Sequence, residues 1–138
     1  GITKLADLKE KYVAAQSARA ALQVLQKGGD QENLGKTFKE IQEFPDYNTA
    51  FSELEAGTVD AVAMDVGVAK YQVNNRNNNY VILDENLNSE QYGIGFKKGN
   101  TELRDKVNAD LKKLYDEGKV DELAKKYGIE DMICLGDK

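Results

Sequence analysis

The chain has 138 residues, 41% of them apolar and 31% charged, with a formal net charge of −5; that is enough for one packed core and a globular rather than a disordered balance. The negative charge, with no extended basic run, excludes nucleic acid and anionic membrane surfaces as main partners. There is no histidine and one cysteine, Cys134, which excludes histidine-based triads and dyads, the usual zinc sites and an intramolecular disulfide, so no metal or cofactor is expected.

The apolar runs are too short for a membrane span, and Gly1-Ile2-Thr3-Lys4 has no signal-peptide core, so the chain is expected to be soluble, without membrane insertion. Ile2 to Glu10 reads as a short helical turn with Thr3 as a cap and Leu5 and Leu8 behind it. Lys11 to Gln16 is the first strand. Ser17 opens a helix in which Ala18, Ala21, Leu22 and Leu25 share the core face, closed by Gly28-Gly29. Gly28 to Gly35 is a polar surface loop, and Thr37 to Phe44, with Phe38, Ile41 and Phe44 as its apolar members, is the second strand.

The centre of the chain is Phe44 to Tyr71. Asp46 follows Pro45 and caps a helix whose Tyr47, Ala50, Phe51 and Leu54 form one stripe, ended by Gly57. Val59 to Met64 is a nearly continuous apolar run, the pattern of a strand buried on both faces of a parallel sheet. Asp65 terminates it. Ligands of open α/β sheets collect beyond the carboxyl ends of the strands, so Asp65 either meets a bound group or caps the helix that follows.

That third helix runs into Asn74 to Asn79, an asparagine-rich tract that favours a solvated helix end. Tyr80 to Leu83 reads as a fourth strand, Asp84 to Glu90 as a connection, and Tyr92 to Lys98 as a fifth strand weakened by two glycines. Asn100 is placed to cap a long helix with Leu103, Val107, Leu111, Leu114 and Tyr115 on one stripe, stopped by Gly118. A last helix turns Val120, Leu123, Ala124 and Tyr127 inward and ends at Gly128. Cys134 is a small apolar residue or a tail thiol. The order β-α-β-α-β-α-β-β-α-α predicts a three-layer α/β domain, with a five-stranded, mostly parallel sheet and helices on both faces. Residues 1–90 would form its core, and 91–138 a strand and helices packed on the same sheet.

The stretches DLKEKYVAAQSARAAL, FPDYNTAFSELEAGTVDAVAMD and YGIGFKKGNTELRDKVNADLKKLYDEGKVDELAKKYG closely resemble the second half of bacterial extracellular solute-binding proteins of the polar amino-acid family, the receptors of ABC importers. The resemblance implies one periplasmic-binding-protein-like lobe, through about Asn88, plus the tail that normally returns to the first lobe. It also implies an extracytoplasmic location, an importer permease as partner and an amino acid as ligand. In that family the second lobe offers backbone amides after its first strand, matched here by Gln16 to Ala20. The family's acidic residue for the ligand's α-ammonium is matched by Asp65. The implied site is therefore Gln16, Ser17, Ala18, Arg19 and Asp65. Where the family has Gly-Ser/Thr-Ser/Thr this chain has Ala18-Arg19-Ala20, leaving Ser17 and the backbone amides as donors, with Arg19 either replacing the lost hydroxyls or projecting into solvent. A helix start attracts anions because its amides are unpaired and its dipole end is positive.

The first lobe, which carries the family's arginine clamp, has no counterpart in the resemblance, so weak or no binding is expected of this chain alone. The family's second lobe takes one antiparallel strand from outside the matched region. Tyr92 to Lys98 is expected to fill that place, or to join at the edge and give a flavodoxin-like order, or to be exchanged with residues 91–138 of a second copy in a domain-swapped homodimer. The alternative function is a receiver-like signalling domain with Asp65 as phosphoacceptor and Lys97 or Lys98 on the fifth strand, but Gln16-Ser17 is not the acidic pair that magnesium needs. A two-carboxylate hydrolase built on Asp65 and Asp84 has no further support, and no glycine-rich phosphate loop is present. The chain is not read as an enzyme.

Overall fold

The computed structural model describes residues 1–76 and 79–136. The chain divides into two compact units, Gly1–Ser89 and Glu90–Lys138. In the first, a 3₁₀ turn (Leu5–Leu8) leads to β1 (Tyr12–Gln16), α1 (Ala20–Leu25), α2 (Glu32–Gly35), β2 (Glu40–Phe44), α3 (Tyr47–Ala56), β3 (Ala61–Ala63) and α4 (Val66–Asn75). The strands form a parallel sheet in the order β2-β1-β3.

β1 is central, and its alternation builds a core on each face. Val13 and Ala15 pack with Leu8, Leu22, Leu25, Phe38 and Ala63 on one side, while Ala14 packs with Ala50 and Val59 on the other. Helices thus cover both faces, as the alternating β and α pattern predicts. The small residues Ala14, Ala15 and Ala50, all fully buried, let the helices approach the sheet closely. α3 is fixed at both ends as its sequence predicts: Asp46 accepts from the Thr49 amide at 2.9 Å, and Gly57 closes it at φ 75°, a left-handed conformation that glycine adopts without strain.

Among the described residues the sheet has three strands, not five. Tyr80 to Leu83 forms no strand, and Val81 is 83% exposed. The Tyr80 ring packs edge-on against Phe51 of α3, with centroids 5.7 Å apart. Leu87 already belongs to the cluster on the opposite face, and Glu85 takes the Leu5 amide. With Tyr80 drawn to Phe51 and Val81 exposed, the strand propensity of this segment finds no neighbour.

Tyr92 to Lys98 is also not a strand, so it neither fills the sheet's vacant place nor extends it in flavodoxin-like order. Gly93 and Gly95 have nothing within 4 Å of where a side chain would begin, so no packing at these two positions offsets the entropy that glycine costs a strand.

Smaller differences follow local chemistry. The first 3₁₀ turn is capped at Lys4 rather than Thr3, whose hydroxyl instead bonds Asp7 at 3.0 Å. The second strand begins at Glu40, later than expected, and the loop after Gly28 contains the short α2. Asn77 and Asn78 of the asparagine tract lie outside the described residues, while Asn74 and Asn75 end α4. In the second unit, α5 (Thr101–Asp116) and α6 (Lys119–Tyr127) are joined by a left-handed Gly118. Asn100 begins α5 without making a side-chain cap bond. Val107, Leu111, Tyr115 and Val120 are half-buried and Ala124 is buried, while Leu103, Leu114, Leu123 and Tyr127 stay exposed.

Candidate functional site at the carboxyl ends of β1 and β3

The parallel pairing aligns Ala15 with Ala63 and Gln16 with Phe44. The residues beyond these pairs, Ser17 to Arg19 on one strand and Asp65 on the other, therefore leave the same end of the sheet. There the starts of α1, α3 and α4 also gather. The helix starts are treated differently. Asp46 caps α3, and Asp65 caps α4 through Oδ1, which accepts from the Val68 amide at 3.0 Å. α1 has Arg19 at the cap position and no side-chain cap bond.

Each predicted site residue has a definite place. Gln16 is the last residue of β1 and half-buried; its Nε2 donates to the Pro45 carbonyl at 2.9 Å, while its Oε1 is buried without a hydrogen-bond partner. Ser17 is exposed, but its amide extends the ladder by donating to the Phe44 carbonyl at 2.9 Å, so that amide is not available to a ligand. Ala18 is exposed and left-handed, at φ 56°, not on the core face of a helix. α1 therefore starts at Ala20, and its first turn closes with Leu22 donating to the Arg19 carbonyl. The amides from Ala18 to Ala21 precede that ladder. Arg19 is exposed.

What residue spacing missed is the turn itself. An L-residue in the left-handed region is strained, and glycine is the usual occupant; the glycine of the Gly-Ser/Thr-Ser/Thr pattern was the available signal. Asp65 does the capping that one of its two readings foresaw. Two hollows lie elsewhere, near the far end of α1: one of about 410 Å³ lined by Leu25, Lys27, Glu32, Gly35, Lys36 and Ile41, the other of about 400 Å³ along Gln23 to Asp30. Among the described residues no cluster of three or more His, Cys, Asp or Glu could hold a metal ion, and no helix is long and apolar enough to cross a membrane.

Residues 31–130 match the model of the bacterial extracellular solute-binding proteins, family 3. The chain is 37% identical over 91 residues to the ABC transporter glutamine-binding protein GlnH of Bacillus subtilis, covering 66% of this chain and 33% of that protein. It is 30% identical over 84 residues to the glutamate-binding protein GluB of Corynebacterium efficiens, covering 57% and 29%. Among solved structures, an ancestral arginine-binding protein bound to glutamine superposes with a TM-score of 0.70 at 33% identity, covering 94% of this chain and 55% of that one. The second substrate-binding domain of a putative amino acid ABC transporter from Streptococcus pneumoniae gives 0.60 at 26%, covering 91% and 55%. The chain thus spans about a third of the curated relatives and about half of the solved ones. These relatives are binding proteins, not enzymes, and the receiver alternative gives way to them. On the match across residues 31–130, the chain belongs to the bacterial extracellular solute-binding proteins of family 3.

Proposed function

We propose that this chain is an amino-acid-binding lobe of an ABC importer's receptor, working outside the cytoplasmic membrane and delivering its ligand to the importer's permease. The observation that carries this reading is the convergence of the Ser17 to Arg19 turn and Asp65 at one end of the sheet, set by the pairing of Ala15 with Ala63. An α-amino acid is a zwitterion. Its ammonium suits the Asp65 carboxylate, and its carboxylate suits the amides after Ala18, where the helix start is positive and Arg19 adds a full charge. The Ser17 hydroxyl supplies a neutral donor, and Gln16 lines the floor. GlnH, GluB and the arginine-binding neighbour are each named for a polar amino acid, which favours that class here.

The relatives are longer, and a ligand held on one side alone forgoes the bonds the rest of such a protein would add, each worth roughly 1.5–3 kcal/mol when charge-assisted. Binding by this chain is accordingly weak, with Kd on the order of millimolar. Equilibrium dialysis against labelled glutamine, glutamate and arginine tests the reading. Retention of at least one of them, lost on Asp65→Asn, supports it; equal retention by both proteins overturns it.

A further inference from the structure

The end of β1 grips two successive carbonyls of the connection between β2 and α3. The Ser17 amide donates to the Phe44 carbonyl, and Gln16 Nε2 donates to the Pro45 carbonyl, both at 2.9 Å. The next residue is Ala18, left-handed at φ 56°. A conformation this unfavourable for an L-residue persists only where its surroundings hold it. The two bonds anchor it on one side; on the other, the Arg19 carbonyl accepts from the amides of Leu22 and Gln23, both at 3.1 Å.

The Gln16 bond carries a cost that the fold alone does not explain. Oε1 is buried and has no hydrogen-bond partner, and a buried polar atom left unpaired destabilises the folded state. Exchanging the oxygen and the nitrogen would turn two carbonyl oxygens on one another, so the Pro45 carbonyl fixes which end is orphaned. A methionine has similar length and buries no strong acceptor. Stability therefore does not call for a glutamine at this position, whereas a donor aimed at Pro45 does.

We infer that Gln16 is the positioning residue of the site: its side-chain amide, holding Pro45, keeps the Ser17 to Arg19 turn left-handed at Ala18 and set against the start of α3. Gln16 does this without touching a ligand. The effect on binding rests on the amino-acid-binding reading; the effect on the turn does not. Glutamate in its place has the same length but no donor while ionised. Facing a carbonyl oxygen, its pKa rises above the ordinary value, and once protonated its hydroxyl donates to Pro45 again. The chain has no histidine, so no side chain has its ordinary midpoint between about pH 5 and about pH 7.5.

The test measures amide chemical shifts and the three-bond HN–Hα coupling of Ala18 in the full chain, in Gln16→Met and in Gln16→Glu. Each is taken at about pH 7.5 and about pH 5, with and without glutamine. In Gln16→Met the signals of residues 17–20 are expected to move and the Ala18 coupling to leave its left-handed value. Its melting temperature stays within about 3 °C of the unsubstituted chain, because the bond lost and the unpaired oxygen removed offset one another. Glutamine binds it about tenfold more weakly, the equivalent of one hydrogen bond. Gln16→Glu is expected to match Gln16→Met at the higher pH and to recover the original turn and affinity at the lower, while the unsubstituted chain is the same at both. A turn that keeps its signals in Gln16→Met, or a Gln16→Glu protein that recovers nothing on acidification, overturns the inference. An unsubstituted chain that binds no glutamine overturns the amino-acid reading instead, and the turn signals then decide the role of Gln16 by themselves.

Discussion

Ala15 of β1 is paired with Ala63 of β3, and this single register decides which residues share the end of the sheet. Ser17 and Asp65 each lie two residues beyond that pair. A shift of one residue would move alternate side chains to the other face and bury a different set, so the core that fixes the pairing also fixes the candidate site. The turn and the cap can then be perturbed separately.

Ala18 is left-handed at φ 56° and exposed. Relief of this strain outweighs the chain entropy that glycine adds, so Ala18→Gly is expected to stabilise the protein by about 0.5–1 kcal/mol. Ala18→Val, with a branched side chain in the same conformation, is expected to destabilise it. Urea unfolding of the three proteins, read at constant m, checks the order.

Asp65 separates a structural role from a binding role. Asparagine is as good a helix cap as aspartate but lacks the charge, so Asp65→Asn is expected to keep stability within about 0.5 kcal/mol, while Asp65→Ala costs about 1 kcal/mol. Both are expected to lose amino-acid binding. Thermal unfolding beside dialysis distinguishes the two effects.

Three carboxylates, the half-buried Asp7 and Glu32 and the exposed Asp46, make the fold sensitive to acid. The Thr3 amide holds Asp7, the Lys36 ammonium holds Glu32 and the Thr49 amide holds Asp46, each below its ordinary value of 3.8, 4.5 and 3.8 respectively. A lowered folded value means that the folded state binds fewer protons, so the stabilisation is present above those ordinary values and is lost as pH falls through the lowered ones. The melting temperature is expected to drop from about pH 4.5 downward, less steeply in Asp46→Asn, which keeps a cap without a titrating group. Melting curves across that range give the comparison.

Arg76 ties the end of α4 to α3. Its guanidinium lies 5.0 Å from the Phe51 ring centroid and 2.6 Å from the Glu55 carboxylate. Phe51 is 3% exposed and also takes the edge contact of Tyr80. Phe51→Ala is therefore expected to cost about 3–5 kcal/mol. Arg76→Ala is expected to cost about 1 kcal/mol, because Glu55 is half exposed and water screens the pair. A double-mutant cycle with Glu55→Gln measures how much of that is the ion pair.

The sequence carried the first unit well where local chemistry and burial agree. Asp46, the Ala50-Phe51 stripe and Gly57 mark α3 within a residue at each end, and β1 follows from Val13 to Ala15 because both faces of it are covered. Tyr80 to Leu83 has an equally good strand pattern, but strand propensity needs a neighbour, and Tyr80 is drawn to Phe51 instead. The same holds for Tyr92 to Lys98. At the site, Asp65's capping of α4 was legible because an aspartate at a strand end commonly caps the helix that follows, whereas the left-handed Ala18 was not legible from the alanine itself, only from the glycine that the family pattern has at that position. The loss of the Ser17 amide to Phe44 depends on pairing across strands, which spacing along the chain does not contain.

The most direct test is an amide chemical-shift titration of the chain with glutamine, run beside Asp65→Asn. The account predicts shifts concentrated in residues 17–21 and 65–68, saturating in the millimolar range on the order expected for a one-sided site and absent in the variant. Shifts that fall instead on the hollow lined by Leu25, Lys36 and Ile41, or that persist unchanged in Asp65→Asn, would contradict it.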